Sequence, residues 1–267
     1  MSATGLLSLS EIKEREIQIL QYIHDLCEHL GLIYFMGYGT LIGAVRHHGF
    51  IPWDDDIDIC MPRKDYDILI SYLYNQEKEN IDFAILVHEY NKDYYYEFAK
   101  VVDKHSIVEE IGVDPIQGMG VWIDVFPLDF IPENRLLRAI QRVCIAESFF
   151  LRVLSVYPSF PQKYPYLVWP IWKYARRVGH TRYLNRIKKI SLWTKTSRLI
   201  GFVPSFNIKH DYCDAEMLLN RKLLKFEDRE FYAPVGYDEY LRTIYGDYMT
   251  LPPEEKRVHH SFLAMRK

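Results

Sequence analysis

The feature that most constrains the fold is an alternation of acidic and aliphatic residues in the segment WDDDIDIC, at positions 53–60. In an extended strand, residues two apart share a face, so Asp56 and Asp58 point to one side while Ile57 and Ile59 point into a core. Carboxylates held this close stay ionised at neutral pH only when a cation neutralises them. Hard oxygen ligands favour Mg²⁺ or Mn²⁺. The segment therefore predicts a strand that carries a divalent metal site.

A third carboxylate is predicted from the segment GVWIDVFPLDF. The same alternation puts Val121, Ile123 and Val125 on one face of a strand and Asp124 on the other. We therefore predict that Asp124 joins Asp56 and Asp58 as a metal ligand, and that it is the carboxylate that accepts a proton from an attacking hydroxyl group.

A glycine turn precedes the acidic segment and predicts a seat for phosphate. The apolar run LIYFMG has the length of a buried strand, and Gly37 and Gly39 interrupt it before the helix-like TLIGAVRHHG. The amides of Gly39 and Thr40 would then lie at a helix N-terminus, where anions bind. A turn of this kind, followed by Asp-x-Asp and a later acid, resembles the nucleotidyltransferases of the polymerase-beta type. Thr40 stands where Gly or Ser is usual in them.

Three cations near these segments are predicted to contact phosphate. Arg46 and Arg63 flank the acidic segment, and Lys100 alternates out of the apolar strand EFAKVVD. Charge balancing on a solvated face is the alternative interpretation of the two arginines.

The rest of the pattern predicts a mixed α/β chain. With 267 residues and 49% apolar residues, the chain can bury a large core. Ser8 and Glu11 form a capping box before an amphipathic helix that Gly31 ends. We predict an α/β (α+β) fold of nucleotidyltransferase type, in which helices flank a mixed sheet. Its parts are a catalytic core (1–131), a basic, aromatic-rich helical insertion (132–210) and a C-terminal helical part (211–267).

The charge is divided unevenly along the chain. Residues 148–210 contain twelve Lys and Arg and no acid, whereas the rest carries 21 basic and 36 acidic residues. The many aromatic residues of this basic segment favour contact with an anionic membrane surface. The alternative is an insertion that packs its aromatics on the core and leaves its cations in solvent. Nucleic acid is not predicted as a partner, because no reader motif is present and the remainder is acidic.

Three features that the sequence does not contain predict the cellular setting. The four cysteines form no C-x-x-C motif, and the N-terminal residues do not resemble a secretory signal. No apolar run approaches the length of about 20 residues that spans a bilayer. These features favour a reducing, cytoplasmic setting, with peripheral contact at the inner face of the membrane.

Three motifs together resemble the LicD family of phosphotransferases, which is related to the fukutin-type transferases. They are GTLIGAVRHHGFIPWDDDIDICMPRKDY, GVWIDVFPLD and YGDYMTLPP. The resemblance implies transfer of phosphocholine, or a similar phospho-alcohol, from CDP-choline or another CDP-alcohol to a sugar hydroxyl, with release of CMP. The implied acceptor is a lipid-linked precursor of a cell-surface glycan, of the teichoic acid or lipopolysaccharide type. It also implies that Asp56, Asp58 and Asp124 bind metal.

Two other functions remain open at this point. A nucleotidyltransferase that moves a nucleoside monophosphate from a triphosphate onto a sugar or protein would use the same turn and acids. A non-enzymatic, membrane-associated scaffold would use the acidic segment to bind Ca²⁺, although Ca²⁺ loops draw their ligands from irregular backbone rather than from a strand.

Overall fold

The chain begins with a long amphipathic helix whose two ends follow directly from the sequence. In the computed structural model, which describes residues 5–77, 79–205, 211–257 and 262–267, helix α1 spans Leu9–Leu30. The Ser8 side chain accepts a hydrogen bond from the Glu11 amide, and Glu11 caps in return, as the sequence predicts. Gly31 ends the helix with φ of 65°, in the left-handed region that glycine adopts readily.

Further helices and strands follow in alternation, which confirms the mixed α/β class. The strands are β1 (Phe35–Met36), β2 (Asp58–Pro62), β3 (Phe83–Leu86), β4 (Ala99–Asp103), β5 (Ser106–Glu110), β6 (Trp122–Ile131), β7 (Leu199–Gly201), β8 (Cys213–Asp214), β9 (Arg221–Phe226), β10 (Arg229–Pro234) and β11 (Phe262–Arg266). The helices after α1 are α2 (Tyr38–Arg46), α3 (Arg63–Gln76), α4 (Arg135–Ser155), α5 (Trp169–Val178), α6 (His180–Ser191), α7 (Ala215–Leu219) and α8 (Tyr237–Tyr245). Short 3₁₀ turns span Tyr166–Val168 and Glu254–Lys256.

The central sheet is mixed and has the order β1-β2-β6-β4-β3. Strands β2 and β6 are parallel, whereas β1 pairs antiparallel with β2, and β4 pairs antiparallel with β3 and β6. Strand β7 pairs with the far end of β6, and β8 pairs with β7. The hairpin β9–β10 and the antiparallel pair β5–β11, whose strands are distant in sequence, lie outside this sheet. The sheet therefore places β2, β6 and β4, which carry the predicted acids and Lys100, next to one another.

Two parts of the chain differ from the pattern that the sequence predicts. Residues 211–267, predicted to be helical, contain the hairpin β9–β10 in addition to α7 and α8. The turn of this hairpin consists of Glu227 and Asp228, so it lacks the Asn-Gly or Asp-Gly signature of such turns. Glu227 nevertheless takes a φ of 57° there. The insertion is mainly helical as predicted, yet it also contributes β7 to the central sheet. Strand β7 is determined by hydrogen bonding to β6, which is distant in sequence, and local periodicity contains no information about that pairing.

The basic segment is partly neutralised by acids from other parts of the chain. Five of its cations form ion pairs: Arg152 with Glu97, Arg176 with Asp114, Arg186 with Glu147, Lys188 with Glu89, and Arg198 with Asp214. Residues 206–210, which include Lys209, lie outside the described residues. In the folded protein, acids from outside the basic segment therefore neutralise part of its positive charge.

The helices of the described residues differ from membrane-spanning helices. None within residues 5–77, 79–205, 211–257 and 262–267 combines sufficient length with sufficient apolar character to span one.

A close backbone approach near the acidic segment requires glycine in the middle of α2. A Cβ atom built on Gly43 would lie 2.4 Å from the Gly49 carbonyl oxygen. We expect Gly43→Ala to lower the free energy of unfolding by about 1–3 kcal/mol, because a backbone atom cannot move aside as a side chain can. Urea denaturation measures this change. Gly5→Ala is the control, since that site has open space. Equal stability of the two variants would contradict the close approach.

Candidate active site

The site is built around three carboxylates that come from β2, β6 and the loop before β2. Asp58 and Asp124 are direct partners in the parallel register of β2 and β6. Asp56 lies before β2 rather than within it, so the predicted strand begins two residues later than its alternation suggests. Even so, one oxygen each from Asp56, Asp58 and Asp124 lies within 4.8 Å of the others. The structure therefore brings together all three acids singled out from the sequence.

Backbone contacts fix the position of Asp58. Its amide donates to Thr40 Oγ1 at 2.8 Å, and its carbonyl oxygen accepts from the Gly37 amide at 2.9 Å. The Asp124 amide donates to the Ile57 carbonyl oxygen at 2.8 Å. These bonds tie the glycine turn and the two strands into one unit. Thr40, whose amide was predicted to contact phosphate, thus also holds Asp58, because its hydroxyl oxygen accepts from the Asp58 amide.

Lys100 lies beside these acids, on β4. It is the register partner of Asp124, and its Nζ donates to Asp124 Oδ1 at 2.6 Å. Only 3% of the residue is exposed. The ammonium group also lies 4.1 Å from the ring centroid of Trp122 and about 5 Å from those of Tyr96 and Phe98. Lys100 thus supplies the cation nearest to Asp124 among the contacts of the described residues.

Charge crowding at the site raises the pKa of Asp58 well above its ordinary value. Burial is the largest cause, and the charges of Asp56, Asp124 and Asp54 add to it, while Lys100 opposes them. Lys100 therefore offsets only part of the effect of burial and of these charges on Asp58. The group therefore has a strong tendency to take up a cation or a proton.

A second acidic group overlaps the first, and the sequence reasoning missed it. Oxygens of Asp54, Asp55 and Asp56 also lie within 4.8 Å of one another. Glu16 of α1 is 2% exposed, and its pKa is raised well above the usual range by burial and then by the charges of Asp56 and Asp55. The sequence does mark Glu16, because its helical spacing places this acid on the apolar face of α1, between Ile12 and Ile19.

The glycine turn is packed too closely for side chains. A Cβ atom on Gly37 would lie 2.7 Å from Cys60 Sγ, and one on Gly39 would lie 2.7 Å from Asp54 Oδ2. Gly39 therefore keeps the start of α2 within reach of the acidic segment. An Asp54 carboxylate oxygen therefore lies beside the N-terminus of α2, where the phosphate seat was predicted.

The two arginines predicted to bind phosphate contact other groups. Arg46 donates from Nη1 to the Tyr248 carbonyl oxygen at 2.5 Å. Arg63 donates to both oxygens of Asp129, at 2.9 and 2.7 Å. Burial alone would lower the pKa of Arg63, but the hydrogen bonds and charge of Asp129 outweigh it and raise the pKa. The structure thus gives both arginines roles in joining elements around the site.

The donor set fits a hard divalent cation. All of the clustered ligand atoms are carboxylate oxygens, which Mg²⁺ and Mn²⁺ prefer over softer nitrogen and sulfur ligands. Burial, and then the charges of Asp56 and Asp124, raise the pKa of Asp58, so a cation bound at this position would stabilise its ionised form. The residues therefore fit a metal held by Asp56, Asp58 and Asp124.

Comparisons with known proteins agree with this geometry. Residues 31–135 match the family model described as LicD/FKTN/FKRP, nucleotidyltransferase domain. The chain is 30% identical over 269 aligned positions to the lipopolysaccharide cholinephosphotransferase LicD of Haemophilus influenzae, with 95% of this chain and 96% of that protein covered. An uncharacterized protein of Rickettsia typhi is 31% identical over 119 positions, which cover 45% of this chain and 36% of that protein.

The match to the family model and the match to the Haemophilus influenzae protein support a transferase that contains a domain of the LicD/FKTN/FKRP type. The chain belongs to the LicD family, as the identity over nearly its whole length demonstrates. The resemblance based on the three sequence motifs is confirmed.

A further contact beside the glycine turn was not predicted from the sequence. Tyr38, the first residue of α2, has a φ of 43°, and its hydroxyl donates to Asp211 Oδ2 at 2.9 Å. Asp211 is 5% exposed, and burial raises its pKa to about 6, against the hydrogen bonds from Tyr38 and Ser205 that lower it. No local pattern marks Asp211, because its partner is distant in sequence.

The raised pKa of Asp211 predicts a pH-dependent contribution to stability. Since the folded form holds the proton more tightly than the unfolded form, this contribution is present below pH 4 and is lost as pH rises toward about 6. We expect Asp211→Asn to flatten this fall in the free energy of unfolding between pH 4 and 7. Urea denaturation at several pH values measures the difference, with the exposed Asp228→Asn as control. Parallel curves for Asp211→Asn and the native chain would contradict the assignment.

Proposed function

We propose that this chain transfers phosphocholine, or a similar phospho-alcohol, from a CDP-activated donor to a sugar hydroxyl of a cell-surface glycan and releases CMP. The observation that carries the proposal is the convergence of Asp56, Asp58 and Asp124 in a chain that aligns over 95% of its length with a lipopolysaccharide cholinephosphotransferase. The acceptor is proposed to be a lipid-linked glycan of the lipopolysaccharide or teichoic acid type.

The proposed mechanism assigns a role to each part of the site. The amides of Gly39 and Thr40 bind the donor phosphates at the N-terminus of α2. Asp124 accepts the proton of the attacking sugar hydroxyl, and the adjacent Lys100 holds this carboxylate in position through its hydrogen bond of 2.6 Å. A bound Mg²⁺ or Mn²⁺ supplies charge neutralisation at the phosphoryl oxygens. Asp56, Asp58 and Asp124 are its proposed ligands.

Choline adds a requirement for aromatic faces, because its quaternary ammonium cannot donate hydrogen bonds. Trp122 and Trp53 are the tryptophans closest in sequence to the acids, and both already hold a cation. Lys100 lies 4.1 Å from the Trp122 ring, and the Arg257 guanidinium lies 4.7 Å from the Trp53 ring. We propose that a choline site uses one of these faces once its own cation has turned toward phosphate.

The finer organisation is proposed on the same grounds. A nucleotidyltransferase-like core (1–131) would hold donor and metal, and the C-terminal part (211–267) would complete this core. The insertion (132–210) would face the acceptor and the inner surface of the membrane. In support, residues 31–135 match a nucleotidyltransferase-domain model.

The decisive experiment offers the purified chain CDP-choline, CDP-ribitol and CDP-glycerol in turn, with Mg²⁺ and a glycan precursor, and follows CMP release. We expect CMP only with metal, and faster release with the precursor present. Pyrophosphate release from a nucleoside triphosphate, in the absence of CMP release, would favour nucleotidyl transfer instead. Metal binding without any turnover would favour the Ca²⁺-binding scaffold.

A further inference from the structure

Helix α5, within the insertion, and the 3₁₀ turn Tyr166–Val168 before it carry both buried and exposed apolar side chains. One face packs inward: Ala175 is fully buried, and Trp172 Nε1 donates to the Tyr157 carbonyl oxygen at 3.2 Å. The other face is open to solvent. Leu167, in the preceding 3₁₀ turn, is 88% exposed, and Ile171 and Tyr174 of α5 are 42% and 58% exposed. Their spacing of three residues places Ile171 and Tyr174 next to each other on the helix surface. We call these three residues, together with Lys173 and Arg177, the α5 face.

The two cations of the α5 face differ from the neighbouring Arg176, which forms an ion pair. Lys173 and Arg177 are exposed and form no ion pair with any residue that the structure describes. Arg176, between them, points the other way and pairs with Asp114 and the Ser155 carbonyl oxygen. The surrounding sequence from 148 to 210 contains no acid. The positive charge beside the exposed apolar residues is therefore not balanced by acids of the same segment.

The aromatic residues around the α5 face add to its interfacial character. Tyr166 is 76% exposed and stacks on Trp169 with 12° between the ring planes. Lys173 Nζ lies 3.8 Å from the Trp169 ring centroid, so its ammonium group lies at the edge of the apolar patch. Aliphatic residues in the centre, aromatic rings and cations at the edge are the arrangement of helices that lie in the plane of a bilayer surface.

We propose that the α5 face docks this chain on a membrane that carries anionic lipid. The apolar centre (Leu167, Ile171, Tyr174) enters the boundary between headgroups and acyl chains, and Lys173 and Arg177 contact lipid phosphates. Arg176 and Lys188 take no part, because Asp114 and Glu89 already pair with them. Charge complementarity favours this occupant, since a second copy of the chain would bring the same cations against each other.

Vesicle flotation tests the proposal on the whole chain. The protein should float with vesicles rich in phosphatidylglycerol at low salt, less at high salt, and little with phosphatidylcholine alone. The double variant Lys173→Gln/Arg177→Gln should bind anionic vesicles about 30-fold more weakly, because each basic residue near such a surface strengthens binding about fivefold. Leu167→Ser/Ile171→Ser, which leaves the charge unchanged, should also weaken binding.

The matched control is Lys222→Gln/Lys225→Gln, which removes the same charge from two exposed positions of the β9–β10 hairpin. It should float like the native chain. Equal loss in the control and the α5 variant would reduce the effect to net charge and overturn the docking surface. Absence of flotation, or a dimer in light scattering that Leu167→Ser/Ile171→Ser dissociates, would overturn it as well. Because no donor is added, failure here leaves the proposed phosphocholine transfer intact.

Discussion

Asp58→Asn is expected to slow CMP release from CDP-choline by about 10²–10³-fold or more, the range seen when one fixed electrostatic group is removed from a site of charge development. Asp58 is the register partner of Asp124, and one oxygen of each lies within 4.8 Å of the other and of Asp56. An amide at this position keeps the shape of the side chain but removes the negative charge that a divalent cation requires.

The same substitution is expected to leave the fold intact and to stabilise the metal-free protein. Burial and the charges of Asp56 and Asp124 raise the pKa of Asp58, so at neutral pH its ionised form costs free energy of folding. Asn removes this cost and can still occupy the same space. In the native chain, addition of Mg²⁺ should raise the thermal midpoint by mass action, and Asp58→Asn should lose this response.

Two measurements separate this role from a merely structural one. Thermal melts with and without Mg²⁺ report metal binding, and CMP release reports turnover. Asp228→Asn is the matched control, since its side chain is 81% exposed at the tip of the β9–β10 hairpin. Near-native CMP release by Asp58→Asn, together with an unchanged Mg²⁺ response, would contradict the assignment of Asp58 as a ligand.

Local patterns predicted the elements that build the site. Helix α1 was predicted with both ends because its capping box and Gly31 are adjacent to the periodic residues that they bound. Strands β2 and β6 were predicted from alternation, and so were the directions of Asp58 and Asp124. These signals lie within a few residues of the feature that they specify, which is why the sequence alone carries them.

The pairings across the molecule could not be predicted in the same way. Arg63 was interpreted as a phosphate ligand, yet it forms a two-bond contact with Asp129. Asp211 reaches Tyr38 from far along the chain. Such partners depend on the register and packing of strands that are distant in sequence, and the spacing of residues along one segment contains no information about either.

The basic segment illustrates the same limit, because a count of charges does not distinguish paired from unpaired cations. Arg152 was counted among the basic residues predicted to meet anions. In the structure it donates to both oxygens of Glu97, at 2.7 and 2.9 Å, and the two side chains are only 7% and 3% exposed. Glu97 lies just before β4, so this ion pair joins α4 of the insertion to the strand that carries Lys100.

Arg152→Met is therefore expected to lower the free energy of unfolding by about 3–5 kcal/mol, because it leaves the Glu97 carboxylate buried without its cation. Glu97→Met should be destabilising for the complementary reason, because it leaves the Arg152 guanidinium buried without its anion. The double variant Arg152→Met/Glu97→Met should recover most of the loss, since a buried ion pair replaced by apolar groups of similar volume is often neutral or stabilising.

Urea denaturation of the two single variants and the double variant measures the coupling between Arg152 and Glu97 directly. The comparison pair is Arg186 with Glu147, whose side chains are 45% and 55% exposed and whose coupling should fall below about 1 kcal/mol. A coupling energy at Arg152 and Glu97 no larger than that of the exposed pair would show that this contact does not hold the insertion to the core. A large coupling, with CMP release reduced in the single variants and recovered in the double variant, would show that docking of the insertion also positions β4 and Lys100 for the reaction.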